Sequence, residues 1–93
     1  MLEKRVKERV KKACDEAGAW YCMPATGGFG RSGIPDFLIC RDGKFLAVEC
    51  KGTHGRLSMS QRVELGMIAE CGGEVFCATP DTTVEEMVAW LKK

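Results

Sequence analysis

A chain of 93 residues holds one domain, spanning 1–93, with a modest core and no room for a second. Its 45% apolar content contains no run near the roughly 20 residues that a membrane span needs, and MLEKRVKERVKK has no apolar segment or cleavage site of a secretory signal behind it. Neither membrane insertion nor secretion is expected, and a cytosolic location is. The net charge of +1 hides an asymmetry: residues 1–12 carry six Lys/Arg against two acids, 27–62 six against three, and 63–93 two against six. The basic first two-thirds point to a polyanionic partner, although lysines on a solvated helix face would account for 1–12 alone.

Leu2, Val6, Val10, Ala13, Cys14 and Ala17 recur at helical spacing, so the first element is an amphipathic helix that Gly18 terminates. Glu3 falls on its apolar stripe, within roughly 60° of Val6 and Val10 at about 100° per residue, whereas Glu8 points to solvent. An inward carboxylate is unusual. A first-turn acid stabilised by the helix dipole explains it equally well. Trp20 to Met23 reads as a short strand, stopped by Pro24 and a glycine-rich loop from Ala25 to Gly33 that includes Arg31. The loop lacks the spacing of a phosphate-binding G-x-x-x-x-G-K-[ST] segment, so no nucleotide cofactor is expected, but it is suited to ordering against a ligand.

Phe37 to Arg41 and Lys44 to Lys51 are strand-like runs joined by Asp42-Gly43, a strong hairpin signal. A two-residue turn pairs Arg41 with Lys44, and the same register sets Asp36 across from Glu49. Alternation then puts Ala47, Glu49 and Lys51 on one face and Leu46, Val48 and Cys50 on the core-facing other. The S-x-x-Q pattern of Ser58 to Gln61 opens a second helix, which Gly72-Gly73 closes. Glu74 to Ala78 is a fourth strand. Thr82 to Glu85 begins a last helix with Val84, Met87, Val88 and Leu91 inward. The order α-β-β-β-α-β-α describes an α/β fold, a small mixed sheet flanked by helices.

Six cysteines in so short a chain raise the question of disulfides or zinc. No C-x-x-C pair occurs, and the single histidine, His54, has no partner at ligand spacing. Most of the cysteines lie in apolar runs (FLIC, AVEC, VFCA) and read as reduced core residues.

Carboxylates opposed on an antiparallel pair repel each other unless something positive bridges them. Lys51 supplies one charge on the same face, and a hard divalent cation would supply two. A surface salt-bridge cluster of Asp36, Glu49 and Lys51 is the plain alternative. The segment P-D-x(12)-E-x-K, led by Arg31-Ser-Gly33-Ile-Pro35-Asp36 and followed by Gly55-Arg-Leu57-Ser-Met-Ser-Gln61, resembles the PD-(D/E)XK nuclease superfamily. More narrowly, it resembles the virus-type replication-repair nuclease (VRR-NUC) branch, over nearly the whole chain.

That resemblance implies a restriction-endonuclease-like fold and metal-dependent hydrolysis of DNA phosphodiesters. By carry-over, Asp36, Glu49 and the Cys50 carbonyl hold one or two Mg²⁺ or Mn²⁺ ions, with Glu3 acting directly or through water. Lys51 orients water or stabilises the transition state. Gln61 is either a phosphate or outer ligand or only the capping partner of Ser58. Arg31, Lys44, Arg56 and Arg62 are candidate phosphate contacts, and His54 is a loop residue near DNA rather than a general base. The resemblance also implies a homodimer acting on branched DNA such as four-way junctions, in replication, repair or recombination in a bacterial or phage-infected cell. Two other readings stand beside it. One is a nuclease-fold module that grips nucleic acid without cutting, which usually loses an acid or the lysine. The other is an interaction protein docking through its acidic 63–93 surface, which leaves the hairpin's polar cluster unexplained.

Overall fold

The computed structural model describes residues 1–25 and 30–93; residues 26–29 of the glycine-rich loop lie outside the described residues, and part of that loop expectation with them. The elements are α1 (Glu3–Ala17), β1 (Trp20–Cys22), β2 (Phe37–Arg41), β3 (Lys44–Cys50), α2 (Met59–Glu70), β4 (Glu74–Ala78) and α3 (Val84–Leu91), in the order the sequence predicts. The sheet order is β1-β2-β3-β4, antiparallel except for the parallel β3–β4 pair that α2 connects. Asp42 (φ 50°) and Gly43 (φ 77°) both take positive φ, as a type I′ turn requires. The observed ladder pairs Arg41 with Lys44 and Phe37 with Val48, so the predicted register holds.

One face of the sheet is dry. Val6, Val10, Ala13 and Cys14 of α1 and Met87 and Leu91 of α3 close over Phe37, Ile39, Leu46, Val48 and Cys50 in one apolar cluster. Tyr21 and Trp90 extend it through tilted contacts with Phe37 at 5.6 Å and with Phe76 at 5.0 Å. The α1 helix ends where Gly18 enters the left-handed region at φ 67° and the Ala19 N–H returns to the Cys14 carbonyl.

Two arginines of the basic sequence are spent on this framework. Arg41 Nε donates to the Ala17 carbonyl at 2.8 Å, satisfying an end group of α1, and Arg9 Nη1 donates to the carbonyls of Pro80 and Thr82 at 2.7 and 3.1 Å. The charge asymmetry therefore overstates the surface free for a polyanion. The cysteine reading also needs correction. All six are free, and Cys14 and Cys50 are buried, but Cys40 and Cys71 are exposed, because alternation along β2 turns Cys40 away from the core and Cys71 is the C-cap of α2.

The other face is covered by α2, whose only buried residue is Leu65. Ala47 and Glu49 point toward that face by alternation, and both are buried, at 0% and 2% exposure. Beyond β3, the N-terminus folds over the connection to α2: the Thr53 N–H donates to the Met1 carbonyl at 3.1 Å. This brings the first turn of α1 to the end of the sheet at which β2 begins and β3 ends.

Candidate active site

The hairpin ladder stops at Phe37–Val48, and the chemistry-bearing residues stand just beyond it. Asp36 closes the hairpin with its side chain where β2 has no further backbone pair, its Oδ2 accepting the Cys50 N–H at 2.8 Å. The two oxygens of Glu49 are treated unequally. Oε1 receives Gln61 Nε2 at 3.4 Å and lies 4.0 Å from Lys51 Nζ, whereas Oε2 is buried without a hydrogen-bond partner among the described residues. Two ionised carboxylates offer each other no donor, so Asp36 relieves Glu49 only when a proton lies between the two carboxyls. Burial first, then the hydrogen bond to the Asp36 carboxyl and its charge, push Glu49 up to about 8; Lys51 pulls the other way.

Each neighbour of Glu49 is positioned by a local backbone device. The Lys51 side chain is only 13% exposed, and its stem lies beneath the Gly52–Gly55 turn, where a Cβ on Gly55 would come within 3.2 Å of Lys51 Cβ and Cδ. Gly33, at φ 83°, lets the loop before β2 touch the start of α2: a Cβ there would fall 2.5 Å from the Ser60 carbonyl carbon and oxygen. No other residue fits that approach.

Gln61 is the capping partner of Ser58, and its side chain also reaches Glu49. Its Oε1 accepts the Ser58 N–H at 2.8 Å and its N–H donates to Ser58 Oγ at 3.2 Å, completing a capping box, while its Nε2 faces Glu49. One end of the amide caps the helix and the other meets the carboxylate. That amide orientation is the one the network supports, since the carboxylate needs a donor and the Ser58 N–H an acceptor.

The remaining predicted residues are distributed unevenly. Glu3 is near the cluster but not within it: its side chain is 43% exposed, and Lys7 Nζ stands between, 3.3 Å from Glu3 Oε2 and 3.7 Å from Asp36 Oδ1. Lys7 is the residue sequence reasoning leaves unmarked. Its signal is the Glu3–Lys7 spacing of four, which puts an ammonium over a carboxylate on a helix face. Arg31 lines the cleft but pairs with Glu64 at 2.9 Å. Arg56 and Arg62 are exposed, in the β3–α2 connection and the first turn of α2, and His54 is exposed in the same connection. Lys44 is not brought to this end. It opens β3, about 17 Å of extended chain from Glu49, and donates to the Lys93 carbonyl.

Asp36, Glu49 and Gln61 line a cleft of about 300 Å³ together with Pro24, Ile34 and Pro35. A larger groove of about 740 Å³ runs between the hairpin turn and α2, past Phe45, Met67 and Ile68. It is mostly apolar and lacks the carboxylate pair, so the smaller cleft is the candidate site.

The donor set suits a hard divalent ion. Glu49 Oε2 is a buried carboxyl oxygen with no donor among the described residues, beside a second carboxylate, and such oxygens, once ionised, are the ligands that Mg²⁺ and Mn²⁺ take. Among the described residues no three His, Cys, Asp or Glu side chains gather closely enough to enclose an ion. Two carboxylates with backbone and water oxygens are what remains, which agrees with the reluctance of Mg²⁺ to shed its waters.

Comparisons with known proteins agree with this fold. No curated protein matches the chain. A solved structure described as a VRR_NUC domain superposes with a TM-score of 0.71, covering 97% of this chain and 94% of its own at 21% identity, a likeness of fold. The family model of the VRR-NUC domain matches residues 2–81, and this chain therefore belongs to the VRR-NUC nuclease family.

Proposed function

We propose that the chain is a metal-dependent, structure-selective DNA endonuclease that hydrolyses phosphodiester bonds in branched DNA such as four-way junctions, in the cytosol, during replication, repair or recombination. The observation that carries this reading is Glu49: a 2%-exposed carboxylate with one unpartnered oxygen, beside Asp36 and within reach of Lys51. A purely structural salt-bridge cluster would keep this carboxylate ionised against a cation, whereas burial and Asp36 push Glu49 up to about 8, so a further cation is what would let it ionise at neutral pH.

Asp36 and Glu49, with the Cys50 carbonyl and with Glu3 through water, would hold Mg²⁺ or Mn²⁺. Such an ion lowers the pKa of water and offsets charge on the phosphate in flight. The rest falls to side chains of this chain. Gln61 fixes the Glu49 carboxylate by binding Oε1, leaving Oε2 without a hydrogen-bond partner among the described residues. Lys51, its stem held by the Gly52–Gly55 turn, presents an ammonium that can orient the attacking water or donate to a phosphate oxygen as charge develops. Arg56 and Arg62, exposed beside the cleft, suit backbone phosphates, and Arg31 can join them by releasing Glu64.

A homodimer is part of the proposal. What supports it is an apolar stripe on α2: Met59, Val63 and Met67, spaced by four, are 75%, 49% and 46% exposed. A second copy would cover this stripe and supply grip on two duplex arms.

The test is labelled linear, flapped and four-way-junction DNA with Mg²⁺, Mn²⁺ or EDTA. Cleavage is expected with either metal, strongest on the junction and abolished by EDTA. Asp36→Asn, whose amide oxygen still accepts the Cys50 N–H, should fold and lose activity by on the order of a hundredfold or more. Lys51→Ala should lose rate while keeping metal affinity. Cutting in EDTA, or an Asp36→Asn protein that still cuts, would end this assignment.

A further inference from the structure

We infer that Lys7 is a built-in counter-cation that occupies the metal seat at Asp36 and must be displaced when a divalent ion binds. The inference rests on the metal-site reading above and concerns how that site is kept and loaded.

The carboxylate oxygens of Asp36 and Glu49 differ in what they already hold. Asp36 Oδ2 is committed to the Cys50 N–H at 2.8 Å, and Glu49 Oε1 to Gln61 and Lys51. Two oxygens remain for an incoming cation, Glu49 Oε2 and Asp36 Oδ1. The first is bare, and the second has Lys7 Nζ 3.7 Å away. Among the described residues, Lys7 is thus the cation beside the Asp36 oxygen that no backbone N–H takes. Its other partner is Glu3, at 3.3 Å and on the same helix, so the ammonium can leave Asp36 without losing all its pairing.

This arrangement has a physical cause. Asp36 and Glu49 close the hairpin from opposite strands, and without a cation they could ionise together only against their mutual repulsion, at the end of a sheet whose far face is apolar. An ammonium on a four-carbon stem, 30% exposed, neutralises one of them and remains mobile enough to swing aside. Glu3 then holds Lys7 beside the loaded site, where its charge faces the substrate's phosphates. This accounts for why Glu3 sits near the pair without joining it.

The test is Mn²⁺ titration by calorimetry at about 150 mM salt, where separated surface charges are screened. Wild type, Lys7→Met and Lys4→Met are compared, Lys4 being an exposed lysine of the same helical turn. Lys7→Met should bind Mn²⁺ about twofold to fivefold more tightly, and Lys4→Met no differently. In EDTA, Lys7→Met should melt below wild type, and saturating Mn²⁺ should close the gap. Unchanged or weaker binding by a folded Lys7→Met, or an equal gain in Lys4→Met, overturns the displacement while leaving the metal site standing. Absence of binding by wild type and Lys7→Met alike overturns both; binding by Lys7→Met alone supports Lys7 as the block.

Discussion

The two faces of this sheet follow different rules. Against α1 and α3, Phe37 and Ile39 of β2 and Leu46, Val48 and Cys50 of β3 form a buried apolar cluster, and Arg41, on the same face at the turn end, caps α1. Against α2, the matching positions of β3 are Ala47 and Glu49, and the helix above buries only Leu65. The first face holds the fold together. The second gives up apolar burial to make room for a carboxylate and the amide that steadies it. The contrast teaches that stability and chemistry in a domain this small are divided between faces of one sheet, so that loss on one need not mean loss on the other.

The largest effect that would break this division lies in the core. Phe37→Ala should cost about 3–5 kcal/mol, enough to unfold much of so small a domain, whereas Leu65→Ala on the α2 face should cost only about 2 kcal/mol. Urea unfolding of both variants checks the difference, and equal losses would refute it.

A smaller effect concerns Glu49 and pH. Its folded value near 8 lies above the ordinary 4.5, so the native state binds the proton more tightly than the unfolded chain. Stability from this group is therefore fully present below about 4.5 and is lost as pH rises through about 8. In EDTA the melting temperature should fall across that window, and Glu49→Gln, neutral at every pH, should remove most of the fall. Melts of both proteins between pH 5 and 8.5 decide it: parallel curves would mean that the acid is not strained.

The smallest effect sharpens the α2 face itself. Gly33→Ala puts a Cβ against the Ser60 backbone at a positive φ, which should cost about 1–3 kcal/mol. It should also separate Gln61 from Glu49. A folded Gly33→Ala protein with reduced Mn²⁺ affinity is expected; unaltered melting and unaltered affinity would show that the close approach is unimportant.

Local rules in the sequence were enough for the elements and for the hairpin. Gly18, Asp42-Gly43, Ser58 with Gln61 and Gly72 each act through conformations or hydrogen bonds within a few residues, so position in the chain alone reveals them. That Asp36 stands beside Glu49, just past the last ladder pair, was legible for the same reason, since a two-residue turn leaves only one register. The motif around these residues led to the nuclease family that the comparison over residues 2–81 bears out. Tertiary structure alone decided which charges are free. Arg9 and Arg41 cap backbone carbonyls of distant segments, and Lys44 stands at the wrong end of β3. Lys7 reaches Asp36 only because the first turn of α1 folds over the end of the sheet. Whether a side chain is consumed by the fold depends on what lies opposite it in space, and separations such as the 71 residues from Arg9 to Pro80 carry no local signal.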